Sequence, residues 1–170
     1  MNARPAPEWS IARWFNTNAP NTNVPNAGAA DPASLTLASL RGRPVFLHAF
    51  QMLCPGCVQH AVPQSLKVAD AFAHTDLAVV GLHTVFEHHH AMGPEALAVY
   101  LHENRIRYPV GVDMHEEGHA IPITMRAYGM QGTPTLILID RQGQLRRQHF
   151  GLVDDLRLGA ELATLLAERA

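Results

Sequence analysis

The chain has 170 residues, enough for one domain with an ordinary core that needs no structural disulfides. Its 13 Lys and Arg against 15 Asp and Glu give a formal charge of −2, which argues against a nucleic-acid or phosphate-binding role. No apolar run approaches the length of a membrane span, so no membrane partner is expected.

Residues Met1 to Glu8 lack the apolar core of a secretory leader, so the expected location is cytoplasmic. Trp9, Ile11, Trp14 and Phe15 read as anchors packing an N-terminal extension, residues 1–33, onto the domain proper, residues 34–170. An aromatic binding surface is the alternative reading of the same four residues. From Asn16 to Pro32 the chain is rich in Asn, Pro, Ala and Gly and carries no charge before Asp31, the composition of an irregular connection.

Val45 to Phe50 is a short, mostly apolar run that predicts a buried central strand. Beyond it stand Cys54 and Cys57, separated by Pro55 and Gly56, and no other cysteine occurs in the chain. Two thiols at this spacing close a small disulfide ring when the segment winds into the first turn of a helix. Pro55 suits that turn, because its missing N–H is one the helix start leaves unpaired anyway. Unsatisfied N–H groups and the positive end of the helix dipole favour thiolate, and such sites lower a thiol pKa from about 8.5 to roughly 3.5–7.5. The pair therefore reads as redox-active. Half of a zinc site is an alternative, though no second Cys-x-x-Cys supplies the other ligands; two incidental buried thiols are another.

Val58, Val62, Leu66, Ala69 and Phe72 recur at helical spacing and predict a helix to about Ala73, with Pro63 kinking it. Leu77 to Val85 is a second strand. Gly93-Pro94-Glu95 opens a helix with Leu97, Tyr100 and Leu101 on one face, and Tyr108 to Asp113 forms a third strand. Met125 to Met130 reads as a short helix, and Thr135 to Asp140 is the strongest β run. Arg141 to Gln144 turns the chain so that Leu145 to Phe150 pairs back as a hairpin. Asp154 caps a last helix whose Leu158, Leu162, Leu165 and Leu166 face inward. This alternation implies an α/β fold with right-handed crossovers, helices on both faces of a central sheet, and an antiparallel hairpin that makes the sheet mixed. The cysteines fall at the carboxyl end of a central strand, where open α/β sheets place their sites.

A strand running into Cys54-Pro55-Gly56-Cys57, a helix carrying Pro63, the Gly132-Thr133-Pro134-Thr135 element and a closing hairpin plus helix together resemble the thioredoxin-like superfamily. The longer spacings are similar to its TlpA/ResA-like redoxin branch, within the AhpC/TSA-type grouping. Arg41 to Val45, Tyr108-Pro109-Val110 with Asp113, Tyr128-Gly129, and Thr135 to Asp140 followed by Gly143 carry the same resemblance, which spans Ser34 to the C-terminus. It implies a three-layer thioredoxin-like fold and a thiol–disulfide oxidoreductase. Cys54 would attack and Cys57 would resolve the mixed disulfide. Thr133-Pro134 would be a cis peptide opposite the cysteines, with the Thr133 backbone open to a bound strand. No cofactor is implied. The partners would be a protein or small-molecule disulfide or thiol and an electron-donating reductase or thiol.

The chain also departs from the branch. Leu53 stands where a Trp is usual, His60 stands near the place of an acidic residue, and Pro63 lies one residue further from Cys57 than the family spacing. Two residues are candidates to handle the proton in place of the missing acid: His60, on the helix face of Cys57, and Glu87, after the second strand. The alternative for each is a solvated surface residue.

Two histidine patterns invite a metal reading. His115-Glu116-Glu117-Gly118-His119 spells the His-Glu-x-x-His pattern, but it follows a strand, contains Gly118 and runs into Pro122, so a loop is expected. His88-His89-His90 reads as a solvated loop that binds metal only adventitiously, and no metal site is expected. Two other functions compete with the oxidoreductase. One is a thiol peroxidase passing through a Cys54 sulfenic acid, against which Leu47 and Gln51 occupy the positions of the Pro and Thr that peroxiredoxins use. The other is a metal-binding or delivery protein joining the thiols to His83 or His119, with Pro134 standing in the way.

Overall fold

The computed structural model describes residues 4–17 and 35–168; most of the expected connection between Asn16 and Pro32 lies outside them. The described residues build a seven-stranded mixed sheet from β1 (Arg4–Pro5), β2 (Ile11–Phe15), β3 (Val45–Phe50), β4 (Ala78–His83), β5 (Val110–Asp113), β6 (Thr135–Ile139) and β7 (Gln144–Phe150). Their spatial order is β1-β7-β6-β3-β4-β5-β2. β3, β4 and β5 run parallel, while β6 pairs antiparallel to β3 and to β7. Every residue of β3, β4 and β6 is buried, as their nearly continuous apolar sequences require of strands covered on both faces.

Alternation along β3 and β6 divides the interior into two cores. Phe46, Phe50, Leu136 and Leu138 face α1 (Val62–Ala71), α2 (Pro94–Glu103) and α4 (Asp155–Ala167). Val45, Leu47, Ala49, Ile137 and Ile139 face the opposite way, toward Met125 of α3 (Ile123–Ala127), Tyr128, Leu37, Leu40 and Trp9. Helix α4 starts as expected, with the Asp154 side chain accepting from the N–H groups of Leu156 and Arg157. The buried Asp113, the last residue of β5, does the same for α3, accepting from Thr124 N at 2.9 Å and Met125 N at 3.0 Å. Burial raises its carboxyl above the usual carboxylate range, against the pull of those donors.

The N-terminal residues add a strand at each edge of the sheet, β1 against β7 and β2 against β5. Trp9 is buried, donates its indole N–H to the Tyr128 hydroxyl at 3.1 Å and meets Trp14 edge-on. β2 lies so close to β5 that a Cβ on Gly111 would fall 2.9 Å from Ile11 Cδ1, which explains the glycine in that strand.

Between Cys57 and α1 the chain forms a π-helical turn, Cys57–Ala61, rather than continuous α-helix. A π turn is what one inserted residue produces in a helix. It absorbs the extra residue between Cys57 and Pro63, the second residue of α1. The expected kink is therefore a local widening upstream of the proline.

Candidate active site

Strand β3 ends at Phe50, and residues 51–53 lead to the cysteines. Cys54 N donates to Gln51 O at 3.1 Å and Val58 N donates to Cys54 O at 3.0 Å, closing the first turn of the helix around Pro55 and Gly56. Both cysteines are free; Cys54 is half-buried and Cys57 is fully buried. Cys57 N–H donates to the Cys54 sulfur at 3.4 Å, and the two thiols lie within hydrogen-bonding reach of each other.

The loop before β6 closes the other side. The Thr133–Pro134 peptide is cis, and the Cys54 thiol donates to the Thr133 carbonyl at 3.5 Å. A Cβ on Gly56 would sit 3.4 Å from Pro134 Cδ, so the two loops are in van der Waals contact. Cys54, Cys57, Thr133 and Pro134 thus form one cluster.

Burial, followed by the hydrogen bond with Cys54, pushes the Cys57 thiol up to about 12. It does so against two donors that pull the other way, the main-chain N–H of Gln51 and the Thr133 hydroxyl. Cys57 is therefore a protonated thiol at neutral pH and needs a base before it can attack.

The two proton-handling candidates are placed differently. His60 is exposed on the π turn, lines a surface groove with Pro63, Lys67, Leu152 and Asp155, and bonds to neither sulfur. Glu87 is exposed too, but its Oε1 lies 3.4 Å from Gln51 Nε2, and that same nitrogen lies 3.4 Å from Thr133 Oγ1. The site thus depends on Gln51, which in the sequence stands out only as a departure from the peroxiredoxin pattern. The available signal is a polar amide directly after an apolar strand and three residues before the first cysteine.

Beneath the cysteines, Met52 N donates to His83 Nε2 at 3.4 Å, and Phe50 packs between His48, His83 and Tyr100. Burial pushes His83 down to about 4 and His48 down to about 3, so both are neutral at neutral pH. Burial, then the nearness of Cys57 and Cys54, pushes the Tyr100 hydroxyl up to about 12. His119 sits in the loop after β5, 3.7 Å from Glu116, and His89 meets His115 edge-on. Among the described residues no group of three or more His, Cys, Asp or Glu side chains is arranged to hold a metal ion.

Two large apolar side chains are exposed beside the dithiol loops. Leu53, next to Cys54, is 56% exposed, and Phe150, packed on Gly132, is 55% exposed. Gly151 N donates to Pro134 O at 2.9 Å, tying that end of β7 to the loop facing the cysteines.

The Redoxin family model matches residues 16–156. Among solved structures, a thioredoxin-like superfamily protein is 54% identical over 98% of this chain and 98% of its own, with a TM-score of 0.86. A thiol-disulfide isomerase from Corynebacterium glutamicum is 44% identical over 96% of this chain and 97% of its own, with a TM-score of 0.83. A thioredoxin-like protein solved in the oxidized form shares the fold at 22% identity, with a TM-score of 0.73 over 99% of this chain and 98% of its own. No curated protein matches the chain.

Proposed function

This chain belongs to the Redoxin family and has a thioredoxin-like fold, and we propose that it is a thiol–disulfide oxidoreductase in which Cys54 attacks and Cys57 resolves. The observation that carries this reading is the inequality of two touching sulfurs: Cys54 reaches the surface, and Cys57 is buried behind it as a thiol.

The Cys54 thiolate attacks one sulfur of a substrate disulfide. A Cys54–substrate bond forms, the substrate S–S bond breaks, and the departing thiolate takes a proton from solvent. Cys57 then gives up its proton and attacks the Cys54 sulfur. The Cys54–Cys57 disulfide forms and the second substrate thiol leaves. The substrate is reduced by two electrons and the protein is oxidised by two, so an electron-donating thiol or reductase must restore the dithiol.

Of the two candidates, Glu87 is the group that takes the Cys57 proton. Its carboxylate accepts from Gln51 Nε2, the nitrogen that also donates to Thr133 Oγ1, so it is held at the site and takes the proton through solvent, whereas His60 opens onto a groove away from both thiols. The exposed Leu53 and Phe150 favour a polypeptide disulfide as substrate, with the Thr133–Pro134 loop as its docking rim.

Trapping tests this reading. Cys57→Ser should accumulate a mixed disulfide on Cys54 when mixed with oxidised insulin, and Cys54→Ser should form none. Adducts on Cys57, or none with either variant, would count against it.

A further inference from the structure

We propose that Gln51 is a positioning residue that couples Glu87 to the dithiol and aims the Thr133 hydroxyl at Cys57. This rests on the reading of Cys57 as the resolving thiol.

Gln51 is only 1% exposed, immediately beyond an apolar strand. A buried amide is costly unless it is hydrogen-bonded, and its orientation here is determined. Phe86 N–H reaches Gln51 Oε1 at 3.2 Å, and only the oxygen of the amide can accept it. Nε2 is thereby turned the other way, where its two hydrogens meet two acceptors, Glu87 Oε1 and Thr133 Oγ1, each at 3.4 Å.

The bond to Thr133 has a directional consequence. With its oxygen accepting from Gln51, the Thr133 hydroxyl turns its own proton to the Cys57 sulfur. A hydroxyl that is already accepting is also a better donor. The main chain of Gln51 also pulls the Cys57 thiol down, against the burial that raises it, so one residue acts on Cys57 from its backbone and through Thr133. From the exit of β3 its side chain therefore joins two other segments, the loop after β4 and the loop before β6.

The ionisable groups around Cys57 are Cys54 on its own turn, Tyr100 on α2, His83 at the end of β4 and Glu87 beyond it. Tyr100 stays protonated to about 12 and His83 stays neutral down to about 4. Between those limits Tyr100 and His83 each keep one protonation state.

The test follows resolution in one turnover. Reduced protein reacts with dithiobis(nitrobenzoate): Cys54 takes one thionitrobenzoate and releases another, then Cys57 displaces the bound one and the disulfide closes. The rate of the second release against pH reports Cys57 deprotonation. Gln51→Met should move its midpoint up by about one pH unit, a roughly tenfold slowing at fixed pH below it. Gln51→Glu, of the same shape, should move it further, because it loses the donor to Thr133 and adds negative charge beside Glu87 and Cys57. The first release should be unchanged. An unmoved midpoint in these variants, with native circular dichroism, overturns the proposal; if Gln51→Met does not fold, the midpoint of Gln51→Glu alone decides. A wild-type protein that releases only the first equivalent removes the resolving reading of Cys57 itself, which is a different failure.

Discussion

The sulfur of Cys54 accepts the main-chain N–H of Cys57 at 3.4 Å, while its own thiol points to the carbonyl of Thr133 at 3.5 Å. The outer thiol is thus held between the helix start and the loop carrying Pro134. The inner one is pulled down by Gln51 and the Thr133 hydroxyl, against the burial that raises it. The roles of the two sulfurs follow from that arrangement, and so do the consequences of changing their surroundings.

Thr133→Val keeps the shape of the residue and removes the hydroxyl that donates to Cys57. Resolution should slow about tenfold at neutral pH and recover at higher pH, since one lost bond to a thiolate raises its pKa by about one unit. Thr133→Ser should stay close to wild type. Stopped-flow release of thionitrobenzoate, with pH varied, measures both.

Replacing the acid should separate the two proton-handling candidates. Glu87→Gln should lower the resolution rate at neutral pH by about a hundredfold, the scale of a lost general base, and leave a rate that climbs with pH toward Cys57's own high value. His60→Ala should leave the profile unchanged. The reverse pattern would transfer the role to His60.

Stability should fall in acid because of two buried histidines. His48 and His83 are buried, and burial lowers them to about 3 and about 4 from an unfolded value of 6.5. Above the unfolded value both states are neutral and stability is complete. As pH falls below it, the unfolded chain binds protons that the folded protein refuses until its own low pKa values are reached. Each histidine then removes up to about 1.4 kcal/mol per pH unit. Urea unfolding between about pH 7 and about pH 4.5 should show this slope, and His48→Phe should make it shallower.

Much of this was legible in sequence because the signals are local. The strand into Cys54, the Asp154 cap and the hairpin from Thr135 to Phe150 each rest on residues a few positions apart. The π turn was visible only as a mismatch, Pro63 standing one residue too far from Cys57. β1 and β2 gave no readable period, because each is a short edge strand whose partner, β7 or β5, is chosen by the finished sheet. Gln51 was hidden for a related reason. Its partners Phe86, Glu87 and Thr133 are 35, 36 and 82 residues away, and nothing near Gln51 announces them.

The edge strands have a stability consequence of their own. Trp9 is 8% exposed, and it holds the N-terminal segment through Tyr128 and the second core. Trp9→Ala should cost roughly 3 kcal/mol in urea unfolding, and Trp9→Phe, which loses mainly the indole donor, about 1 kcal/mol. Hydrogen exchange along β1 and β2 should quicken in Trp9→Ala before that of β3.

The most direct test is which sulfur reacts. Reduced protein exposed briefly to an alkylating reagent at neutral pH, then digested and mapped by mass spectrometry, should carry label on Cys54 and almost none on Cys57. Labelling of Cys57 should appear only as pH climbs toward its own high value, about 12. Equal labelling of the two cysteines, or label on Cys57 first, would contradict the account.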